Sequence, residues 1–200
     1  FWLNFSFALL EIVGGIFTNS VAIIADAIHD LGDSLAIGFA WIASKVAAKA
    51  PDARYSYGYR RWSLLSALLS GLILIAGSVW VLAEALPRLW QPQLPHTSGM
   101  FVLALVGIAV NGLAVLRLRR GKTQNEKVLG WHLLEDVLGW IAVLIGAVLM
   151  YFTGWAWLDP LLCIGFTLFI LLNVARSLRQ TLALFLQVSP SQALQQEIET

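Results

Sequence analysis

Six apolar segments follow one another along the chain, each close to the roughly 20 residues that a helix needs to cross a bilayer. Short polar stretches, several of them rich in glycine, proline or basic residues, separate the segments. The pattern therefore predicts an all-α membrane protein with six transmembrane helices. The predicted helices lie at 1–18, 20–46, 61–86, 97–117, 128–153 and 157–187.

The composition supports a membrane protein. Of the 200 residues, 58% are hydrophobic and only 12% are charged, whereas soluble domains average about 25% charged residues. The breaks are too short for a separate soluble domain, so we expect one transmembrane domain over 1–188 and the start of a polar cytoplasmic tail at 189–200. The single cysteine, Cys163, excludes an internal disulfide and a cysteine-rich metal site and is expected to serve packing.

The basic residues predict the orientation. Twelve of the 13 lysines and arginines flank the second and fourth breaks or lie near the end of the sixth segment, and the exception is Arg88. The positive-inside rule makes the richer side cytoplasmic, and both termini are then cytoplasmic. At membrane-flanking positions these basic residues are expected to touch anionic lipid, and we expect no nucleic-acid partner.

Two short motifs place ionisable side chains inside apolar segments. HDLGD contains His29 and Asp33, and HLLED contains His132 and Asp136. A spacing of four residues puts each pair on one helix face, and ionisable groups at membrane depth mark functional sites. Because the predicted second and fifth helices run in opposite directions, the two pairs are able to face each other.

Two imidazoles and two carboxylates form a ligand set suited to tetrahedral zinc. Thiolates would hold zinc too tightly for turnover, and carboxylates and carbonyls alone would suit calcium or magnesium better. A histidine must lose its proton to bind a metal, so metal and protons compete for such a site, which offers a way to couple their exchange. The structural alternative is a polar network between helices.

Four further acidic residues are candidates for indirect roles. Asp26 and Asp30 lie within about 100° of His29 and Asp33 on a helical projection. Asp26 is a candidate for lining the pathway, carrying protons or supporting a ligand, and Asp30 is a candidate for the same roles or for solvating the cavity alone. Glu11 is expected either to hydrogen-bond a site group or to pack against a neighbouring helix. Glu135 projects from the opposite edge to Asp136 and favours a polar contact over a metal ligand.

Three other polar residues favour structural roles. Asp159, before Pro160, predicts an N-cap of the sixth helix with proline in its first turn. Asn111 favours a hydrogen bond between helices over metal binding. His96 lies in a predicted outer loop and is expected to be solvated.

Several motifs resemble the cation diffusion facilitator family: NSVAIIADAIHDLGDSLA, Asn111, NEKVLGWHLLEDVLGW and TGWAWLDP. The resemblance implies a six-helix, dimeric, proton-coupled exporter of divalent transition metals that works by alternating access. In the family the pairs on helices two and five form the transport site, which carries over to His29, Asp33, His132 and Asp136. Histidine at the first position resembles the zinc-preferring branch.

The chain also departs from the family pattern. Some members bind a second metal in the loop after helix two through an aspartate and two histidines; Asp52 matches, but Tyr55 and Tyr59 stand at the histidine positions. That loop site is therefore expected to be absent. Trp140 and Ser63 stand where a small and an acidic residue are usual. The cytoplasmic metal-binding domain usual beyond helix six is also expected to be absent from this chain.

The leading interpretation is a zinc/proton antiporter of the bacterial inner membrane, with Zn²⁺ as transported substrate, protons as counter-ion and a homodimer as the assembly. Cobalt, nickel, iron, manganese or cadmium are alternative cargoes, because ligand type alone does not fix selectivity. A membrane metalloenzyme is disfavoured, since HExxH is absent and four protein ligands leave no position for a catalytic water. A metal-responsive scaffold without transport is a third alternative.

Overall fold

A computed structural model of the protein describes residues 1–56, 58–118 and 124–187. These residues form six α-helices, which confirms the predicted all-α fold. Their bounds are α1 Trp2–Thr18, α2 Val21–Ala47, α3 Trp62–Trp90, α4 Thr97–Leu118, α5 Gln124–Thr153 and α6 Leu158–Phe185. The predicted polar tail at 189–200 lies outside the described residues, as do the basic residues Arg119, Arg120 and Lys122.

Four helices, α3 to α6, are long and apolar enough to cross a membrane by length and composition alone. Helix α1 is apolar but has only 17 residues. Helix α2 has 27 residues and is not among the four; its central turns carry Asp26, Asp30 and Asp33. These three aspartates therefore lower the hydropathy of α2, and they belong to the acidic residues that the sequence analysis identified as candidate site residues.

The turn between α1 and α2 makes these helices antiparallel neighbours. Asn19 ends α1 in the left-handed conformation, with φ 55°, which asparagine tolerates better than most residues. Ser20 follows as the N-cap of α2, and its hydroxyl accepts a hydrogen bond from the Ile23 amide at 3.2 Å. The chain thus reverses within two residues.

Asp159 connects the start of α6 to the start of α2. Its carboxylate accepts hydrogen bonds from the Ser20 hydroxyl at 2.5 Å, the Val21 amide at 2.8 Å and the Ala22 amide at 3.4 Å. The prediction that Asp159 caps its own helix is wrong, because the N-cap of α6 is Trp157. The free amides at the start of α2 and its positive dipole end attract the carboxylate instead.

Helices α4 and α5 pack chiefly on each other, with Trp140 at their contact. The indole is completely buried, and a methyl group added at Gly107 of α4 would collide with it. The ring of Phe7 on α1 meets the indole edge to face at 6.4 Å. The unusual tryptophan is thus accommodated by a glycine on the neighbouring helix.

Helix α2 occupies the middle of the fold and contacts α1, α3 and α6 along its length, whereas it approaches α5 at only a few positions. Buried apolar residues join the helices near the α1–α2 turn, among them Ile23, Met100 and Met150. Cys163 belongs to this core and is completely buried, which confirms its packing role. The thin contact between α2 and α5 contains the two histidine–aspartate motifs.

Candidate metal centre

His132 of α5 and Asp33 of α2 meet across the contact between their helices. The Nε2 atom of His132 lies 2.6 Å from Oδ2 of Asp33. The Nε2 atom of His29, one turn before Asp33, lies 3.7 Å from the same oxygen. The two imidazole rings are 5.6 Å apart and inclined at 80°. Helices two and five therefore present their motifs to each other, and three of the four predicted ligands come together.

The three donor atoms have nearly the spacing that a zinc ion requires. They all lie within 4.8 Å of one another. Zinc bonds of about 2.0–2.2 Å place donor atoms about 3.3–3.6 Å apart at the corners of a tetrahedron. The His29–Asp33 separation of 3.7 Å already matches this edge, and the His132–Asp33 hydrogen bond must open by less than about 1 Å. His29, Asp33 and His132 therefore form a group that could hold a metal ion.

Asp136 lies outside this group of three donor atoms. Its side chain is buried, one turn after His132 on α5, and it lines a cleft that His29 also lines. The fourth predicted ligand therefore lies beside the site, but its carboxylate is not part of the group formed by His29, Asp33 and His132.

A cleft of about 280 Å³ between α2, α5 and α6 reaches the site. Its lining includes Asp26, His29, Glu135 and Asp136, together with the ring of Phe169. The helical projection placed Glu135 and Asp136 on opposite edges, but both border this cleft, Glu135 as an exposed side chain. The side chains of His29 and Asp33 are about one fifth exposed, at 18% and 21%. The site is therefore accessible without being open to bulk water on all sides.

Carboxyl groups also accumulate between α1 and α2. Glu11 is completely buried and Asp30 is 3% exposed. The sequence left open whether Glu11 hydrogen-bonds a site group or packs against a helix. Its two oxygens have no hydrogen-bond partner among the described residues.

Asn4 is a polar residue of α1 that sequence reasoning missed. Its amide donates hydrogen bonds to the backbone oxygen of Asp30 at 3.2 Å and to the Ser34 hydroxyl at 3.0 Å. Asn4 precedes Glu11 by seven residues, which is close to two helical turns, so both residues lie on one face of α1. That periodicity was the available signal for a polar α1–α2 contact.

Asn111 is buried, and its amide nitrogen has no partner in the described part of the chain.

Asp52 organises the loop after α2 through hydrogen bonds. One oxygen accepts from the amides of Arg54 at 2.8 Å and Tyr55 at 2.7 Å, and the other accepts from the Tyr59 hydroxyl at 2.6 Å. The Tyr59 hydrogen bond, together with those amides, lowers the pKa of Asp52, and the same contact raises the pKa of Tyr59 to about 12. A tyrosine at a family histidine position thus binds the aspartate directly.

Comparison with known proteins decides the family. The cation efflux transmembrane domain matches residues 1–186 of the chain. The chain belongs to the cation efflux family. This membership confirms the resemblance drawn from the motifs.

Individual members of the cation efflux family resemble the chain over most of its length. The metal cation efflux system protein CzcD of Cupriavidus metallidurans is 33% identical over 196 residues, which cover 97% of this chain and 62% of that protein. The zinc transporter ZitB of Pectobacterium atrosepticum is 31% identical, covering 99% of this chain and 64% of its own length. A cadmium, cobalt and zinc/H(+)-K(+) antiporter of Bacillus velezensis is 37% identical over 158 residues, 77% of this chain and 50% of its own length.

The chain spans less than two thirds of the length of these relatives. Its apolar helices and its bacterial family members identify it as an integral protein of the bacterial inner membrane.

Proposed function

We propose that the chain forms the transmembrane part of an antiporter that exports zinc from the cytoplasm in exchange for protons. The observation that carries this proposal is the meeting of His132 and Asp33 at 2.6 Å, with His29 3.7 Å from the same oxygen. Two imidazoles and a carboxylate from opposed helices supply donors that zinc accepts. Asp136 supplies the fourth ligand after a rotation towards the group.

The same geometry supports proton coupling. In the metal-free site a proton lies between the His132 nitrogen and the Asp33 oxygen, because two acceptors cannot approach to 2.6 Å without one. When both ring nitrogens of His132 carry protons, a metal ion that takes the lone pairs of Nε2 and of the Asp33 oxygen displaces the Nε2 proton, while Nδ1 keeps its own. Binding from the cytoplasm then releases the proton there, and metal release outside allows a proton to return.

Alternating access requires the site to open towards either side in turn. The thin contact between α2 and α5, beside the close pairing of α4 with α5, supports a movement of the α4–α5 pair against α2. The cleft lined by Asp26, His29 and Asp136 provides one access route.

Cobalt and cadmium are second candidates for the cargo. The relative from Bacillus velezensis carries cadmium and cobalt beside zinc in its name. An imidazole–carboxylate site binds several divalent transition metals, and selectivity then depends on geometry and supply rather than on ligand type. Competition by Co²⁺ and Cd²⁺ against zinc flux distinguishes a zinc-selective carrier from a broader one.

Orientation and assembly complete the proposal. The distribution of lysine and arginine supports cytoplasmic termini, and the family resemblance supports a homodimer. A fluorescent reporter and a periplasmic phosphatase, each fused to the C-terminus, test the orientation, since only the fluorescent fusion should be active. Cross-linking in native membranes tests the dimer.

The decisive functional test is zinc flux into proteoliposomes under a pH gradient. Wild-type protein should accumulate zinc and dissipate the gradient, whereas Asp33→Asn and His132→Gln should lower the flux at least tenfold. Glu84→Gln is a matched control, because this exposed carboxylate lies on α3 and pairs only with Arg88 in the described structure. Normal flux in both site variants would overturn the site assignment, and zinc binding without flux would favour the scaffold.

A further inference from the structure

Glu11 is a buried acid that the proposed metal site does not use. Its side chain is completely inaccessible in the middle of α1, and neither carboxyl oxygen has a hydrogen-bond partner among the described residues. Asp30, which is also buried, lies on α2, the helix against which α1 packs most closely. Helix α4, which also packs on α1, has no charged residue at 97–116.

The surroundings of Glu11 oppose its ionised form. Water does not reach the carboxyl group, no cation or donor compensates its charge in the described structure, and the charged groups acting on it are other acids. A buried carboxylate without a partner is strongly destabilised, whereas the neutral acid is tolerated. The arrangement seen without a metal therefore suits a protonated Glu11.

We propose that Glu11 holds a proton while the metal site is empty and releases it when a divalent cation binds. This inference rests on the proposed function and extends it by adding a proton-carrying residue on a third helix. On release the O–H bond breaks, its electron pair stays on the carboxylate, and the proton passes to cytoplasmic water. After the cation leaves on the outer side, a proton returns to Glu11. No oxidation or reduction is involved.

Asp30 connects Glu11 electrostatically to the metal site. Asp30 adjoins His29 and precedes Asp33 by three residues on α2, and α1, which carries Glu11, packs along α2 and hydrogen-bonds the Asp30 backbone oxygen through Asn4 at 3.2 Å. A dication held by the histidine–aspartate pairs adds two positive charges to this group of acids. The added charge favours the ionised form of Glu11, so metal occupancy and proton release are linked. The cleft beside Asp26 and Asp136 offers the proton an exit.

Infrared spectroscopy of the full chain in lipid nanodiscs tests the protonation directly. Labelling the glutamate side-chain carboxyls with carbon-13 shifts the carbonyl band of a protonated glutamic acid and leaves the aspartic acids unchanged. We expect this shifted band at neutral pH without metal, its loss on adding Zn²⁺, and its absence in Glu11→Gln. The control Glu84→Gln, which alters an exposed carboxylate, should retain the band.

Proton counting provides an independent measurement. Zinc titration calorimetry in buffers of different ionisation enthalpy gives the protons released per ion bound. Glu11→Gln should release about one proton fewer than wild type, and Glu11→Asp, which keeps a titratable group, should restore the wild-type number. A merely structural role would lower stability in both variants without changing this difference.

The outcomes separate this inference from the proposed function. If wild-type protein exchanges zinc for protons but Glu11→Gln releases the wild-type number of protons, Glu11 is not the carrier and the antiporter stands. If wild-type protein neither binds nor moves zinc, the proposed function fails. If Glu11→Gln does not fold, the labelled wild-type band decides: its absence without metal, or its persistence with saturating Zn²⁺, overturns the inference.

Discussion

Asp159→Ala removes the connection between α6 and the start of α2 and should destabilise the protein strongly. The Asp159 carboxylate is 1% exposed and accepts two short hydrogen bonds, from the Ser20 hydroxyl at 2.5 Å and the Val21 amide at 2.8 Å. The third, from the Ala22 amide at 3.4 Å, is long and weak. Because α2 carries His29 and Asp33, this connection also positions half of the candidate site.

The hydrogen bonds set the expected size of the effect. Hydrogen bonds to a charged group contribute about 1.5–3 kcal/mol each. Losing the two short ones from a buried position should lower the free energy of unfolding by about 3–6 kcal/mol. Asp159→Asn keeps one acceptor oxygen, so it should lose about 1.5–3 kcal/mol, the equivalent of one such bond.

Equilibrium unfolding in mixed micelles of mild detergent and dodecyl sulfate measures these free energies, with helicity followed by circular dichroism. Glu84→Ala serves as the control, because the Glu84 side chain is 54% exposed and an ion pair with so exposed a carboxylate contributes at most about 1 kcal/mol. A loss below about 1 kcal/mol in Asp159→Ala would contradict the reasoning, since it would mean that the buried carboxylate contributes no more than a surface one.

Two further predictions concern packing and the loop. Gly107→Ala should lower the free energy of unfolding by about 1–3 kcal/mol through overpacking against Trp140. Gly112→Ala, whose added methyl group meets nothing within 4 Å, should be neutral or slightly stabilising; equal effects in the two variants would refute the packing argument. Hydrogen bonding lowers the pKa of Asp52 in the folded protein below its ordinary pKa of about 3.9. The ionised carboxylate therefore stabilises the loop fully above that ordinary pKa, and this stabilisation is lost as the pH falls through the lowered pKa of the folded state. Tyr59→Phe should therefore raise the pKa of Asp52 in an NMR titration, and an unchanged pKa would show that the tyrosine hydroxyl is not responsible.

Much of the fold was predictable because a membrane-spanning helix requires a long, continuous apolar segment, which is visible in the sequence. The breaks at Asn19 and Ser20 and the antiparallel order of helices two and five followed from this pattern. The prediction that the two motifs face each other then depended only on each histidine lying on the same helix face as its aspartate. The structure places His29, Asp33 and His132 accordingly.

Other features depend on contacts between helices distant in sequence, and periodicity cannot supply these. Asp159 accepts a hydrogen bond from the amide of Val21, 138 positions earlier in the chain. Local capping rules consider only the helix in which a residue lies, so they could not predict this contact. Trp140 departs from the family pattern, and only the position of Gly107 on α4 explains how it fits. The burial of Glu11 likewise depends on which neighbour covers α1.

Anomalous scattering at the zinc edge, from crystals of the protein grown with Zn²⁺, tests most directly whether the two histidine–aspartate motifs bind one metal ion. We expect a peak between α2 and α5, with donor atoms of His29, Asp33, His132 and Asp136 about 2.0–2.2 Å from the ion. A zinc peak bound elsewhere, with these four side chains separated or turned towards lipid, would contradict it.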